Sequence, residues 1–448
     1  DFLERNPHLV EDLQTWKGVD GRKMGYKKLV ADGIMTQALV DSKQTSEGMG
    51  GVSLSHRKIW EHVAATDELA LIVEDDVYTR PEIREWDIAH TGPWDAAIRG
   101  SSALRAAVLG AMFDEVATLN GEAVSTILWD MEKFYDNIQM NKLIAKAIEV
   151  EYPLTVFCLG LQMHMAPRAL KAYDCNAYAQ IPCNGIIAGC VQSNYLARVL
   201  LFTVMQELWN ENIHPSKSYL RTFVDDIRQS ECGDVEQVAR STVHKAKFLA
   251  DRLGKDGLGC VISKKSTLLA SNSILGKSIR GSLRIRGVHL KLSSYAKDLG
   301  VASAAGVRRI SSILQSRIAS ARGRVKRIKA LNRVNKRAGR LFNTGAWPQS
   351  VYGKEAMGLD KTSLSSLRTM AAEAVSGPSK GKCTTTCIWL GLGSKYDPAI
   401  KATMDQVNMW LDIAPKFDQV RMTRAWWVQK ARHFSSSRPW QVAKGPIG

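Results

Sequence analysis

The 448 residues are enough for two or three domains, and apolar and charged fractions of 45% and 23% are those of an ordinary globular protein. No apolar run reaches membrane-spanning length, since the best candidate, near residues 196–205, contains Arg198; this excludes an integral membrane protein. Eight cysteines in a chain of this length exclude a disulfide framework and favour an intracellular compartment, nuclear or cytoplasmic.

The net charge of +17 is unevenly distributed. Residues 1–150 hold 16 basic and 25 acidic residues, whereas residues 151–448 hold 45 basic and 19 acidic residues. The later part therefore carries a net charge of +26. A body this basic favours a polyanionic partner such as nucleic acid, and a merely soluble basic surface is the alternative.

Residues 1–80 are predicted to form a small partial α/β segment. Its clearest element is the short apolar strand 71–73, which runs into the acidic residues Glu74, Asp75 and Asp76. Residues 81–94 contain two prolines and a glycine and are predicted to be a linker.

This first segment is similar to glycosyltransferase family 25, in which a Gly-x-x-x-Ser-His segment precedes a strand ending in Glu-Asp-Asp. Here those places are Gly51 to His56 and Leu71 to Asp76. The resemblance implies a site that holds Mn²⁺ against a nucleotide-sugar diphosphate, made of Ser55, His56, Glu74, Asp75 and Asp76. Much of the family domain is absent from these residues, so we expect a truncated remnant; an exposed acidic turn is the alternative.

Residues 95–290 alternate between helical and strand patterns. Helices are predicted over 101–119, 137–150, 191–209 and 243–253, and strands over 124–129, 219–224 and 227–230. This order predicts an α+β fold, an antiparallel sheet with helices on one face.

Three aspartates in this region stand where strands end. Asp130 follows the strand 124–129, and Asp225 and Asp226 lie between two short apolar strands that are typical of a hairpin. Each alone is more typical of a helix cap or a turn. Together they offer the carboxylates that a two-metal phosphoryl-transfer site requires.

Around these aspartates the chain resembles the reverse transcriptases, of the non-LTR retrotransposon type. Five signatures occur in the family's order, and they are Asp130 to Asp136, Gly185 to Ser193, Phe223 to Asp226, Leu258 to Ser266, and Lys297 to Val301. The resemblance covers residues 95–345 and implies a polymerase palm with reduced fingers over 95–290, followed by a primer grip and a basic thumb over 291–345.

The resemblance also implies the catalytic roles. Asp130, Asp225 and the backbone carbonyl of Met131 hold two Mg²⁺ ions, and Asp226 supports them. The hydroxyl of a DNA primer attacks the α-phosphate of a dNTP on an RNA template, and pyrophosphate leaves toward Lys265 or its neighbour Lys264.

Further residues are implied to contact the substrates. Tyr135, beside Phe134, is the steric gate that excludes a 2′-hydroxyl. Gly189 and Ser193 belong to the loop near the templating pair, and Leu299 and Gly300 grip the primer end.

Residues 308–340 carry twelve Lys or Arg and no Asp or Glu, with apolar residues at helical spacing. This pattern predicts a cationic helix, or a helical pair broken near Gly323, that contacts phosphates. Residues 346–448 are predicted to be helical and of unknown role. A core position is expected for the tryptophans at 389, 410, 426, 427 and 440.

Two departures from the family leave alternatives open. Its second signature has Gln before the Gly and Pro after the Ser, where this chain has Ala188 and Asn194. Between residues 95 and 130 the only basic residues are Arg99 and Arg105, so the triphosphate clamp of the fingers is missing. The alternatives are an inactive nucleic-acid-binding retroelement remnant and a glycosyltransferase family 25-like protein.

Overall fold

The structure, a computed structural model, describes residues 30–31, 81–167, 171–172, 175–176, 181–211, 217–376, 381–436 and 446. The chain divides into two compact units, Asp1–Glu85 and Trp86–Gly448. The predicted α/β segment over 1–80, with its proposed site, lies almost wholly outside the described residues. The predicted boundaries at 290 and 345 fall inside the second unit.

A five-stranded sheet forms the centre of the second unit. Its strands are β1 (Ala123–Trp129), β4 (Ser218–Phe223), β5 (Asp226–Gly233), β6 (Thr267–Ala270) and β7 (Lys291–Leu292), and they lie in the order β4-β5-β1-β6-β7. All neighbours are antiparallel except β6 and β7. The short pairs are β2 (Lys171–Ala172) with β3 (Cys175–Asn176), and β8 (Ala296–Asp298) with β9 (Val301–Ser303).

Helices provide most of the remaining structure. Those before the basic region are α1 (Pro81–Ala89), α2 (Ala103–Leu119), α3 (Phe134–Asn137), α4 (Met140–Glu149), α5 (Leu154–Met165), α6 (Val191–Asn210), α7 (Val235–Leu253) and α8 (Ser273–Ile285). Those that follow are α9 (Ser312–Val334), α10 (Trp347–Val351), α11 (Lys354–Met357), α12 (Lys361–Ser376), α13 (Thr384–Gly391), α14 (Pro398–Ile413) and α15 (Gln419–Ser435). The predicted α+β class is therefore confirmed.

The sheet is covered on both faces, which corrects the expectation of helices on one face only. Alternate residues of β1 point to opposite sides. Ile127 and Trp129 join the core that α4, α6 and α7 build. Val124 and Leu128 pack instead with Phe113 and Ala117 of α2. Residues Val124 to Trp129 of β1 are all buried because both faces of the strand are covered.

The predicted linker over 81–94 differs in the structure, because Pro81–Ala89 is helical. Trp86 is buried and donates a hydrogen bond from its indole to the carbonyl of Val150 at 2.7 Å. Trp94 is buried beside Phe202 and Trp209 of α6. Two large aromatic side chains thus attach this stretch to the core, despite its prolines and glycine.

The cationic segment is a single helix, α9, that runs through Gly323 and is followed by a 3₁₀ turn at Lys336–Arg340. The predicted break at Gly323 is therefore absent. The apolar stripe of α9, which includes Leu314, Ile318 and Val325, packs against α12 and the 342–351 region. Most of its cations lie on the outer face, which is exposed.

The helical C-terminal region is confirmed in the described residues. The expected core position of its tryptophans is wrong for Trp389, Trp410, Trp426 and Trp427, which are between 38% and 62% exposed. Trp440 lies outside the described residues. Within the described ranges, no helix combines the length and apolar character that crossing a bilayer requires.

Candidate active site

The three aspartates meet at one end of the sheet. Asp130 directly follows β1, and the pairing of Trp129 with Ile227 sets it beside Asp226, the first residue of β5. Asp225 lies in the two-residue turn between β4 and β5. The antiparallel register of neighbouring strands thus brings together residues almost a hundred positions apart.

The turn that carries Asp225 has an unusual backbone. Val224 has a φ of +59°, a conformation that is costly for a β-branched side chain. The turn remains in this conformation because the paired strands on both sides of it fix its ends. As a result, Asp225 is presented at the tip of a rigid hairpin.

Burial and neighbouring carboxylates raise the pKa values of Asp225 and Asp226. Burial, and then the charge of Asp130, raise the pKa of Asp225 even though its own backbone amide opposes this. Burial, and then the charge of Asp225, raise the pKa of Asp226 to about 6 against the lowering effect of Arg221. No ion pair to Asp130, Asp225 or Asp226 occurs in the described part of the chain.

Mutual repulsion of this kind is what a divalent cation relieves, so the donor set fits Mg²⁺. Over the described residues, no group of three or more His, Cys, Asp or Glu forms a cage that could hold a metal by itself. Mg²⁺ in nucleotidyl transfer commonly takes one or two carboxylates and completes its shell with substrate phosphate and water. Asp130 and Asp225 could supply those carboxylates.

The segment 261–266 is attached to Asp130 by backbone hydrogen bonds. The amide of Ser263 donates to the carbonyl of Asp130 at 2.8 Å, and the amide of Asp130 donates to the Ser266 hydroxyl at 3.0 Å. Met131 is buried and forms a bridge with Ile262. This attachment brings the segment that contains Lys264 and Lys265, both exposed, to the end of β1 that Asp130 follows.

Tyr135 lies beside the turn of the β4–β5 hairpin. Burial, and then the charge of Asp225, raise the pKa of its phenol. Its hydroxyl donates to Oδ1 of Asn194 at 3.1 Å. Phe134 differs from the expected substrate contact, because it is buried in the core and meets Tyr135 edge-on at 5.5 Å. Phe134 therefore supports the neighbouring ring from inside the protein.

The loop that contains Gly185 and Gly189 is attached by its backbone to Tyr135 and lies close to Asp136. The amide of Ile186 donates to the carbonyl of Tyr135 at 2.8 Å, and a Cβ at Gly185 would lie 2.8 Å from the carbonyl oxygen of Asp136. Gly189, at a φ of +87°, has open space around it, which is compatible with a substrate contact. Ser193 is buried and donates to the carbonyl of Ile187 at 2.6 Å, so its expected substrate contact is corrected to a structural role.

Leu299 and Gly300 form the turn of the β8–β9 hairpin. The residue before them, Asp298, is buried and accepts hydrogen bonds from Arg221 at 2.6 and 3.2 Å and from Arg228 at 2.6 Å. Burial alone would raise the pKa of Asp298, but the two guanidinium groups lower it. This attachment connects the predicted primer grip to the hairpin that carries Asp225.

Sequence reasoning missed these buried arginines and Asp114, which accepts from Arg228 at 2.6 Å. Arg221 and Arg228 are cross-strand partners in the β4–β5 hairpin. A signal was present, because a pair of cations at matching positions on either side of a hairpin turn must lie on the same face of the sheet.

The two basic residues between residues 95 and 130 differ in their surroundings. Arg105 is paired with Asp412 of α14, with its Nε 2.9 Å from the carboxylate. Arg99 is exposed.

Comparison with known proteins finds no family model and no curated protein that matches the chain. Among solved structures, 91% of the chain is similar to telomerase from Candida tropicalis in complex with the TWJ fragment of telomeric RNA, at 11% identity and a TM-score of 0.39. For apo telomerase from Candida tropicalis, the similarity covers 91% of the chain, at 12% identity and a TM-score of 0.39. For telomerase from Candida albicans in complex with the TWJ fragment of telomeric RNA, it covers 81% of the chain, at 13% identity and a TM-score of 0.32. The chain spans 60%, 65% and 56% of the lengths of these three chains.

Proposed function

We propose that residues 95–345 are the palm and thumb of a reverse transcriptase of the non-LTR type, an RNA-directed DNA polymerase. The observation that carries the proposal is the meeting of Asp130, Asp225 and Asp226 at one sheet end. Their charges oppose one another there, and no basic side chain among the described residues forms an ion pair with them. An RNA template, a DNA primer and dNTPs are the substrates under this proposal.

Asp130, Asp225 and the Met131 carbonyl would hold two Mg²⁺ ions, with Asp226 beside them. Such ions neutralise charge on the attacking and leaving oxygens of an in-line displacement. Lys265, exposed next to Asp130, would hold a proton at Nζ for the departing pyrophosphate. Tyr135 would exclude a 2′-hydroxyl from the sugar position by contact with its ring.

The exposed cations of α9 support a second part of the proposal, that this helix is a thumb that binds the duplex backbone. Arg322, Arg324, Lys326, Arg327 and Arg333 are exposed on a helix without an acidic residue. Cations on one helix face attract phosphates independently of base sequence.

The test is primer extension on an RNA template with Mg²⁺ and dNTPs. The wild-type chain is expected to add nucleotides, and Asp225→Asn is expected to lose at least about 100-fold in rate, as removal of a group central to charge stabilisation does. Duplex affinity should stay within about twofold, because the cations of α9 remain. Asp251→Asn, an exposed carboxylate on α7, is the matched control and should behave as wild type.

A second candidate is a catalytically inactive, nucleic-acid-binding remnant of a retroelement. It is favoured by the pairing of Arg105 with Asp412, because Arg99 is the other basic residue between residues 95 and 130. The same assay separates the two candidates. Duplex binding by the wild type without any dNTP incorporation would establish the remnant and overturn the polymerase.

A further inference from the structure

The turn between β8 and β9 has a backbone that requires support. Leu299 and Gly300 have φ values of +46° and +81°, as in the two-residue hairpin turns with both central residues left-handed. Leucine has no side-chain group that favours this conformation, so the surrounding structure must hold it.

Two side chains, one from α9 and one from the residue that follows α10, hold this turn. Arg317 of α9 donates to the carbonyl of Gly300 at 2.7 Å, and the Tyr352 hydroxyl donates to the carbonyl of Leu299 at 3.2 Å. Arg317 also donates to the carbonyl of Tyr352 at 2.6 Å, with its guanidinium 5.0 Å from the centre of the tyrosine ring. Both carbonyls of the turn are thus bound by one stacked pair of side chains.

The two side chains approach Gly300 closely, and its φ of +81° favours glycine at this position. A Cβ at Gly300 would lie 3.1 Å from Nη2 of Arg317 and 3.4 Å from a ring carbon of Tyr352. No carboxylate pairs with Arg317 in the described residues, and its hydrogen-bond acceptors there are backbone carbonyls.

On its other side the turn is fixed to the sheet. Asp298 accepts from Arg221 and Arg228, which flank the turn that carries Asp225. A continuous set of hydrogen bonds therefore runs from α9 through the 298–300 turn to the β4–β5 hairpin that carries Asp225, here called the aspartate hairpin.

We propose that Arg317 and Tyr352 are positioning residues, which hold the 298–300 turn in register with the aspartate hairpin so that a primer end bound by α9 is aligned with Asp130 and Asp225. This proposal rests on the proposed polymerase function. It assigns to α9 a second task besides phosphate binding, because one of its arginines fixes the turn while the others face solvent.

The experiment uses Arg317→Lys and Tyr352→Phe in the full chain. Lysine keeps the charge but cannot bind two carbonyls in the plane of a guanidinium, and phenylalanine keeps the ring but lacks the donor. We expect each variant to lower kcat/KM for nucleotide addition about fivefold to tenfold, the loss expected of a hydrogen bond between a side chain and a carbonyl, with duplex Kd unchanged within about twofold.

The double variant and two control variants distinguish a shared positioning role from a general loss of function. Because both residues act through one turn, the double variant should lose no more than the worse single variant. Arg280→Lys on α8 and Tyr396→Phe, which replace an exposed arginine and a half-buried tyrosine outside the turn, should match wild type. Multiplied losses in the double variant, or a loss of duplex affinity equal to the loss of addition, would overturn the proposal.

Hydrogen exchange separates this proposal from the polymerase assignment. Duplex binding to the wild type is expected to increase protection of the amides in 296–303, and this increase should be absent in both variants. A chain that adds no nucleotides yet shows this difference would retain the positioning role and lose the polymerase function. Equal protection in wild type and variants would refute the positioning role, whatever the activity.

Discussion

The hydrogen bond between Tyr135 and Asn194 accounts for a residue that departs from the reverse transcriptase pattern. Proline, usual after the serine of the second signature, could not accept a hydrogen bond from a tyrosine hydroxyl through its side chain. Asn194 accepts one at 3.1 Å and thereby restrains the ring of Tyr135. Asn194, where the family has proline, thus supports the proposed role of Tyr135 in excluding a 2′-hydroxyl, because it holds the tyrosine ring in place.

Removal of this restraint should weaken discrimination between deoxyribonucleotides and ribonucleotides. Asn194→Ala is expected to lower the dNTP preference about twofold to tenfold, the value of a side-chain hydrogen bond of about 0.5–1.5 kcal/mol. Tyr135→Ala should lower it further, because the ring itself is lost. The measurement is competitive incorporation of matched nucleotides in primer extension.

Tyr135→Phe provides the control for this prediction, since it removes the hydroxyl but keeps the ring. Its effect should equal that of Asn194→Ala, and the double variant should add nothing further. Unaltered sugar selectivity in Tyr135→Ala would contradict the gate assignment.

The raised pKa of Asp226 predicts a pH dependence of stability in protein kept free of divalent cations. Its pKa of about 6 exceeds the ordinary value of 3.8, so the folded state binds this proton more tightly than the unfolded state. The free energy of unfolding should therefore decrease by at most about 3 kcal/mol as pH rises from about 4 to about 6. Above about pH 6 it should stay at the lower value.

Asp226→Asn should remove this part of the pH dependence, because asparagine does not titrate. Denaturant unfolding at pH 4.5 and pH 7.5 in EDTA measures the difference. The variant should be more stable than wild type at pH 7.5, and a variant with the full wild-type pH dependence would argue against a destabilised Asp226 carboxylate.

At the scale of elements, one buried ionic network joins the sheet to its neighbours. Arg228, on β5, is fully buried and binds Asp114 of α2 and Asp298 of β8. It also donates to the carbonyl of Gly110 at 3.0 Å and to the Ser230 hydroxyl at 3.1 Å. A helix, a central strand and a peripheral hairpin are therefore held together through one side chain.

Truncation of this arginine should be costly, because it leaves the buried Asp114 without its counter-ion and removes one of the two arginines that bind Asp298. Arg228→Met is expected to lower the free energy of unfolding by about 3–5 kcal/mol, measured by urea denaturation. Lys217→Met is the matched control, since Lys217 binds Glu122 in a more exposed ion pair, and should cost less than about 1 kcal/mol. Equal costs for the two variants would refute the importance of the network.

At the scale of the whole molecule, the basic excess is concentrated partly on the outer face of α9. Lys326→Gln with Arg327→Gln removes two exposed cations and should weaken duplex binding at low salt. If both contact phosphates, the slope of log Kd against log salt should fall by about 1.4–1.8.

Two exposed cations on another helix, α8, provide the control for this prediction. Lys277→Gln with Arg284→Gln removes the same charge from the exposed face of α8. Its salt slope should stay at the wild-type value. Equal losses in both pairs would indicate that net charge, and not α9, governs binding.

Three strands of the sheet and several of the helices were predictable because their signals are local. The strand at 124–129 and the long apolar helix from Val191 follow from side-chain type alone, and so does the hairpin around Asp225. In contrast, the second covered face of the sheet and the helix over Pro81–Ala89 depend on partners such as Phe113 and Val150, which are distant in sequence.

By itself, the sequence determined the α+β class, the position of the aspartates at strand ends and the cationic helix, since periodicity and charge are properties of neighbouring residues. Only the tertiary structure decided the inward position of Phe134, the structural role of Ser193 and the attachment of Asp298 to two buried arginines. The physical reason is that burial and ion pairing depend on which distant segments meet, and one residue's type does not specify them.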